Sequence, residues 1–388
     1  MQLHLPNPSE AEQNHSQALL EVLRSEIEAQ SDGVISFERY MQQCLYHNEY
    51  GYYEASEIFG QAGDFTTASE LSELFSKCIA QQYTRLREQQ ATCDILEIGA
   101  GSGTMATQIL KHLDAANMLP NRYVIAETSE HLRTRQYKTL KRNLPNFIDR
   151  VQWITEEDEH SSASFSGLIV GNEVLDALPV ELFRYQAGEY HQRCVAVRED
   201  QLTFIDRPAS GELAQSLEAL NIDWSSLPSE TSYQSEHCRK LPAFISRYAE
   251  LLNQGVMLFI DYGYPRSEYY HPQRSKGTLQ CHYRHLANPD PLWYPGLQDI
   301  SANVDFTAVA EAAVANNLDV LAYTTQAHFL MASGILENEQ LLDTKTSTEI
   351  KQLLLPGEMG ERFQVMALGK RVDLPANQFG ARDLRHRL

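Results

Sequence analysis

Apolar and polar positions along the chain follow two periods, and the change from one to the other divides it. Residues 9–30 and 34–47, the second reading ISFERYMQQCLYHN, carry the spacing of helices. A Gly- and Tyr-rich loop, Gly51 to Glu70, precedes a further helix through about Leu86. Short apolar runs at 93–98, 122–127, 150–154 and 167–171 then alternate with helical stretches at 104–115 and 129–142, the order of an α/β sheet. The alternation stops at 180–186, 190–198 and 201–206, which read as short antiparallel strands, and at a polar excursion over 207–235. It resumes with a helix at 239–253 and the apolar strand VMLFIDYGY, followed by a loop-rich excursion from Pro265 to about Asp299. Helix 305–316, strand 319–325, helices through 326–354 and strand 363–371 complete the chain. Seven of the strands suit a doubly wound sheet with an antiparallel last strand, and ligands of such sheets sit at the carboxyl ends of the strands.

The first of the alternating strands ends in ILEIGAGSGTMA, Ile95 to Ala106, and the second closes on an acid, Glu127. Glycine at 99, 101 and 103 allows a tight strand-to-helix turn in which a ligand can approach bare backbone. The following helix offers unpaired N–H groups, and Glu127 is placed to take both hydroxyls of a ribose. The segment predicts a nucleoside-bearing cofactor. Two identities fit it: G-x-G-x-x-A from Gly101 suits NAD or FAD, while G-x-G-x-G with Glu97 two residues ahead resembles motif I of class I S-adenosylmethionine methyltransferases, which implies a methyl donor. A strand-to-helix turn that binds nothing is the third possibility at this point.

GNEVLDALPVE, Gly171 to Glu181, directly follows the fourth strand and brings Asn172 and Glu173 to the same edge. Burying an unpaired carboxylate is expensive, so acids at the end of a buried strand point to a site. Asp176 follows Glu173 at helical-turn spacing, so the two carboxylates share one face if the segment coils, and together they could grip a cation. A plain helix cap is the alternative. Gly63, Asp64, Phe65, Thr66 and Thr67 combine hinge, apolar plug and hydroxyls and are the candidate lid over the cofactor; a capping box from Thr66 or Thr67 to Glu70 explains the same residues.

Composition narrows the function classes. With 388 residues, 43% hydrophobic and 22% charged, the chain can bury a large core. A net charge of −20 disfavours nucleic acid and anionic membrane surfaces and would attract a basic protein. Membrane insertion is not expected, since no apolar run approaches the roughly 18 residues that span a bilayer. Six scattered cysteines without a C-x-x-C, and an acidic first thirty residues unlike a signal or transit peptide, predict the cytoplasm. The tract Cys281-His282-Tyr283-Arg284-His285 has no second ligand pair at zinc spacing, so no metal is expected. Elbow, P-loop and H-E-x-x-H motifs are absent, which leaves acyl hydrolysis, NTP hydrolysis and zinc proteolysis without support.

Taken in order, GYY at 51–53, GDFTTASE at 63–70, EIGAGSG at 97–103, ETSEHLRTRQ at 127–136, NEVLDALPVE at 172–181, IDYGY at 260–264, PGLQDISANVDF at 295–306, TQAHFL at 325–330 and MGERFQVMALGK at 359–370 resemble the MidA-type methyltransferases. That family includes the mitochondrial complex I assembly factor that methylates arginine. The resemblance implies a class I, Rossmann-like methyltransferase fold with an N-terminal helical lid region over 1–90, a core over 91–371 with insertions at about 186–238 and 265–300, and a tail over 372–388. It implies S-adenosylmethionine as donor, held by Glu97, Gly99, Gly101, Gly103 and Glu127, with Asn172, Gly63, Asp64 and Thr66 around it. It assigns the acceptor to Asn172, Glu173 and Asp176, with Glu181 as a further helper, and implies a protein arginine as acceptor, carried for instance by a respiratory-complex subunit, and symmetric dimethylation. The lack of a transit peptide makes the chain look like a bacterial member. A methyltransferase of a small molecule or another protein residue, and a cofactor-binding assembly factor with little turnover, are the competing classes; the oligomeric state stays open.

Overall fold

Seven strands form one mixed sheet because their residues are apolar on both faces: β1 (Asp94–Ile98), β2 (Tyr123–Ala126), β3 (Val151–Ile154), β4 (Phe165–Asn172), β5 (Leu252–Tyr264), β6 (Asp319–Thr325) and β7 (Phe363–Lys370). The spatial order is β3-β2-β1-β4-β5-β7-β6. Strands β1 to β5 pair in parallel, and β7 runs antiparallel to both β5 and β6. The order reverses between β1 and β4, and this is where an open α/β sheet forms its ligand crevice. The expected doubly wound sheet of seven strands with the last one antiparallel is present, and the two-residue strand Val304–Asp305 adds an eighth, parallel to the end of β5.

The structure is a computed structural model and describes residues 5–54, 67–90, 93–155, 165–227, 232–337 and 343–388. The chain divides into two units. The sheet belongs to the unit made of Thr66–Asp176, Leu241–Arg266 and Val304–Leu388. On one face Ile95, Leu168, Val170, Leu258 and Val365 join Phe75, Ile79, Ile109 and Leu110 of helices Glu73–Arg87 and Thr104–Ala115 in one buried cluster. The helix Glu73–Arg87, which chain order grouped with the N-terminal region, therefore packs on the sheet. Helices Leu241–Leu251 and Phe306–Ala315 pack on each other and against β5. The segment after β7 is fastened to the same unit: Leu374, Phe379 and Leu384 are buried, and the Leu384 N–H donates to the Tyr323 carbonyl at 2.8 Å.

The other unit comprises Met1–Phe65, Ala177–Lys240 and Ser267–Asn303. Its helix Glu10–Ala29 starts on a capping box between Ser9 and Glu12. Strands Glu181–Gln186, Glu189–Arg198, Gln201–Pro208 and Tyr233–His237 form an antiparallel sheet that also takes Ile35–Ser36. Buried carboxylates join its three chain segments. Glu12 accepts from Tyr283 and Arg284, and Glu236 accepts from the Thr278 N–H, the Thr278 hydroxyl and the Leu279 N–H. The stretch 207–235, expected to be a surface excursion, contains the helix Gly211–Ala219 with Leu213 and Leu217 buried. Among the described residues no helix is long and apolar enough to cross a membrane.

Candidate functional site

The crevice edge is built first from the turn after β1. Gly99, Gly101 and Gly103 have φ of +63°, +50° and +78°, so the chain turns through three left-handed residues into helix Thr104–Ala115. What a Cβ would meet differs at each. At Gly99 it would lie 3.0 Å from Val174 Cγ1, at Gly103 3.2 Å from the Gln136 backbone, and at Gly101 in open space. Gly99 and Gly103 thus admit neighbouring chain, whereas Gly101 leaves its surroundings free for a ligand. Ser102 donates to Glu70 at 3.1 Å. Thr67 makes no side-chain cap bond, so Glu70 turns to the glycine loop rather than closing a capping box with Thr67. Gly63, Asp64, Phe65 and Thr66 lie outside the described residues.

Two acids flank this loop. Glu97, on β1, is fully buried; its Oε2 accepts the Tyr123 hydroxyl at 2.5 Å, and its Oε1 has no hydrogen-bond partner among the described residues. Burial pushes the carboxyl up to about 7, against the Tyr123 hydrogen bond and with a small addition from Glu127. An orphaned buried acceptor of this kind calls for a donor, and a cofactor ammonium is one that would fit it. Glu127, just past β2, accepts from the Ser129 N–H and from Gln136 Nε2, both at 3.0 Å. Gln136 is a residue that the motif reading passed over. Its Nε2 also donates to the Gly101 carbonyl at 3.2 Å and its Oε1 accepts from Trp153 Nε1 at 2.9 Å. The indole can only donate, so it fixes which way the amide faces and thereby holds Glu127 and the glycine loop together.

The second part of the edge is the turn after β4. Asn172 ends the strand, and its Nδ2 donates to Glu173 Oε1 at 2.9 Å. Glu173 sits at φ +55°, and its N–H donates to the Ile260 carbonyl of β5 at 2.9 Å. The expected coil is not formed: residues 173–176 make a turn rather than a helix. The reason lies in β5. Asp261 Oδ2 accepts three successive N–H groups, from Val174 at 3.2 Å, Leu175 at 2.9 Å and Asp176 at 3.3 Å, while Oδ1 accepts its neighbour Tyr262 at 2.9 Å. Those bonds fasten the three residues of the turn to β5. Asp176 Oδ2 accepts the Tyr262 hydroxyl. Burial, then the Asp176 and Glu173 carboxylates, push Asp261 well above the usual carboxylate range. Val174 fills the space left by two glycines, since a Cβ at Gly171 would lie 2.7 Å from its Cγ2. Glu181 lies in the other unit, where it accepts from Gln192 at 3.1 Å and stands 3.9 Å from Arg239.

The arrangement is a glycine loop next to a carboxylate-rich turn: one glycine with open space beside it, one buried acceptor without a partner among the described residues, one braced acid after β2, and three further acids on the turn after β4 and on β5. Comparison with known proteins identifies it. Residues 74–324 match a family described as "Putative S-adenosyl-L-methionine-dependent methyltransferase". A crystal structure of a "likely methyl transferase from Burkholderia thailandensis bound to S-adenosyl-homocysteine" is 37% identical, covers 99% of this chain and 100% of its own, and superposes with a TM-score of 0.89. The mitochondrial protein arginine methyltransferase NDUFAF7 homolog of Drosophila melanogaster is 25% identical over 93% of this chain and 86% of its own length. Human NDUFAF7, described in the same words, is 26% identical over 87% and 80%. Of the identities open to the glycine loop, these findings select the methyl donor over a nicotinamide or flavin dinucleotide. The chain belongs to the MidA-type family of S-adenosylmethionine-dependent methyltransferases, and S-adenosylmethionine is its cofactor.

Proposed function

We propose that the protein methylates arginine in a protein substrate, with symmetric dimethylarginine as the product. The observation that carries this reading is the cluster of Glu173, Asp176 and Asp261 at the ends of β4 and β5, next to the glycine loop. S-adenosylmethionine supplies a methyl group already activated on a sulfonium. What the chain must add is alignment, worth roughly 7–11 kcal/mol when reactants are held in place, and a site for the acceptor. Guanidinium stays protonated up to a pKa above about 12 and is a poor nucleophile. Glu173, with Asp176 beside it, holds the cation by charge-assisted bonds and draws positive charge onto the nitrogens that do not attack. The attacking nitrogen gains the methyl and releases one proton, which the carboxylates of this edge accept. The names of the curated relatives support the same acceptor, and a chain of net charge −20 attracts a basic protein.

The test is incubation of the purified protein with methyl-tritiated S-adenosylmethionine and a lysate of cells lacking the gene, followed by hydrolysis and amino-acid analysis. Label in symmetric dimethylarginine of a protein is the expected result. Label confined to small molecules or to residues other than arginine would overturn it.

A further inference from the structure

We infer that Asp261 is a positioning residue of the methyl-transfer site, acting by holding the turn that carries Glu173 in its strained conformation. The inference rests on the acceptor role proposed for Glu173 and adds what keeps that carboxylate in place. A non-glycine residue at φ +55° is strained and persists only where its surroundings over-determine it. Here the determinants come from two successive residues of β5, Ile260 and Asp261. The Ile260 carbonyl takes the Glu173 N–H, and one oxygen of Asp261 takes the three N–H groups that follow it. Asn172 and Ile260 are register partners, so the turn begins at the point where the β4–β5 ladder ends. A carboxylate 1% exposed, with both oxygens engaged and two other carboxylates nearby, is a costly way to brace a turn. What the carboxylate adds is a fixed, left-handed Glu173 whose side chain Asn172 then orients at 2.9 Å.

Asp261→Asn separates positioning from general support of the fold. The amide can still offer an oxygen to the three N–H groups, but without charge, and its NH2 then faces the Tyr262 N–H. The experiment is a double-mutant cycle of Asp261→Asn and Glu173→Gln. It reads initial rates of protein methylation at saturating S-adenosylmethionine with the lysate substrate above, cofactor affinity by titration, and thermal melting. Charge-assisted bonds are about twice as strong as neutral ones. Asp261→Asn should therefore slow transfer about tenfold or more where Glu173 is present, and less than about twofold in the Glu173→Gln background. Cofactor affinity should stay within about threefold in both, because the loop that carries Gly101 is built by other residues.

Equal slowing in both backgrounds, or loss of cofactor affinity in proportion to rate, would overturn the inference. An unaltered rate in Glu173→Gln alone would instead overturn the acceptor role of Glu173, and the two failures are thus distinct. The rate is read as label in protein, whichever residue takes it, so failure of the arginine assignment leaves the cycle interpretable. Should Asp261→Asn not fold, Asp261→Thr keeps one acceptor oxygen and a shape suited to a strand, and the same cycle is run with it.

Discussion

Glu97 carries the plainest expectation at the scale of one residue. Its folded-state value near 7 lies above the ordinary carboxylate range, so the folded protein holds a proton there that the unfolded chain releases at lower pH. Stability is therefore lost as pH rises from about 4.5 to about 7, the reverse of an ion-paired acid. Glu97→Gln keeps an acceptor for the Tyr123 hydroxyl and cannot ionise. Relative to the parent it should gain stability through that window, up to about 3 kcal/mol above pH 7 and nothing below about pH 4. Chemical denaturation across pH measures it; a constant difference between the two proteins would refute the assignment. The same substitution should weaken cofactor binding, because a carboxamide pairs less strongly with an ammonium. Glu97 and Glu127 could be found from sequence because local spacing ties them to the glycines. Asp261 and Gln136 could not be found that way, since each acquires its role from partners 85 and 35 residues away along the chain.

Most strands and helices of the sheet unit were legible to within a residue or two because apolar runs and alternation decide them locally, but β5 starts at Leu252, four residues before the apolar run VMLFIDYGY that marked it. The turn at 173–176 was not. Carboxylates three apart fit a helical turn and a non-helical one equally well, and the non-helical turn observed is fastened by Asp261, on another strand. The strand–loop–helix element at 94–115 supports a contrast between two of its glycines. Gly101→Val costs only the left-handed strain, about 1–2 kcal/mol, yet places a side chain in the open space left for the cofactor. Gly103→Val adds a collision with the Gln136 backbone to that strain and should cost about 2–4 kcal/mol in all. The first variant should melt within a few degrees of the parent and not bind S-adenosylmethionine. The second should melt well below it. Isothermal titration and thermal melting read both, and cofactor binding by Gly101→Val at parental affinity would sink the assignment.

At the scale of the molecule, sequence order and spatial order part company. The second unit gathers three separated segments through pairings such as Ile35 with Val195 and Glu12 with Arg284, whose sequence separation leaves no local trace. Its helix at 211–219 was missed because polar residues dominate the stretch around two buried leucines.

The placement of β7 between β5 and β6 has a consequence for synthesis. Among the described residues β6 pairs with β7 alone, and β7 is the last strand to be made. A chain still attached to the ribosome at residue 362 has translated six of the seven strands and cannot seat one of them. The other unit is likewise incomplete until Asn303 has emerged. Acquisition of structure is thus deferred almost to termination, and the waiting chain exposes apolar strands that chaperones and proteases recognise. Stalled nascent chains ending before Phe363 should be digested over whatever part of 304–337 has left the ribosome, by a protease that leaves that part intact in the released protein. Protection of that stretch in the stalled chain would mean that β6 finds another partner first.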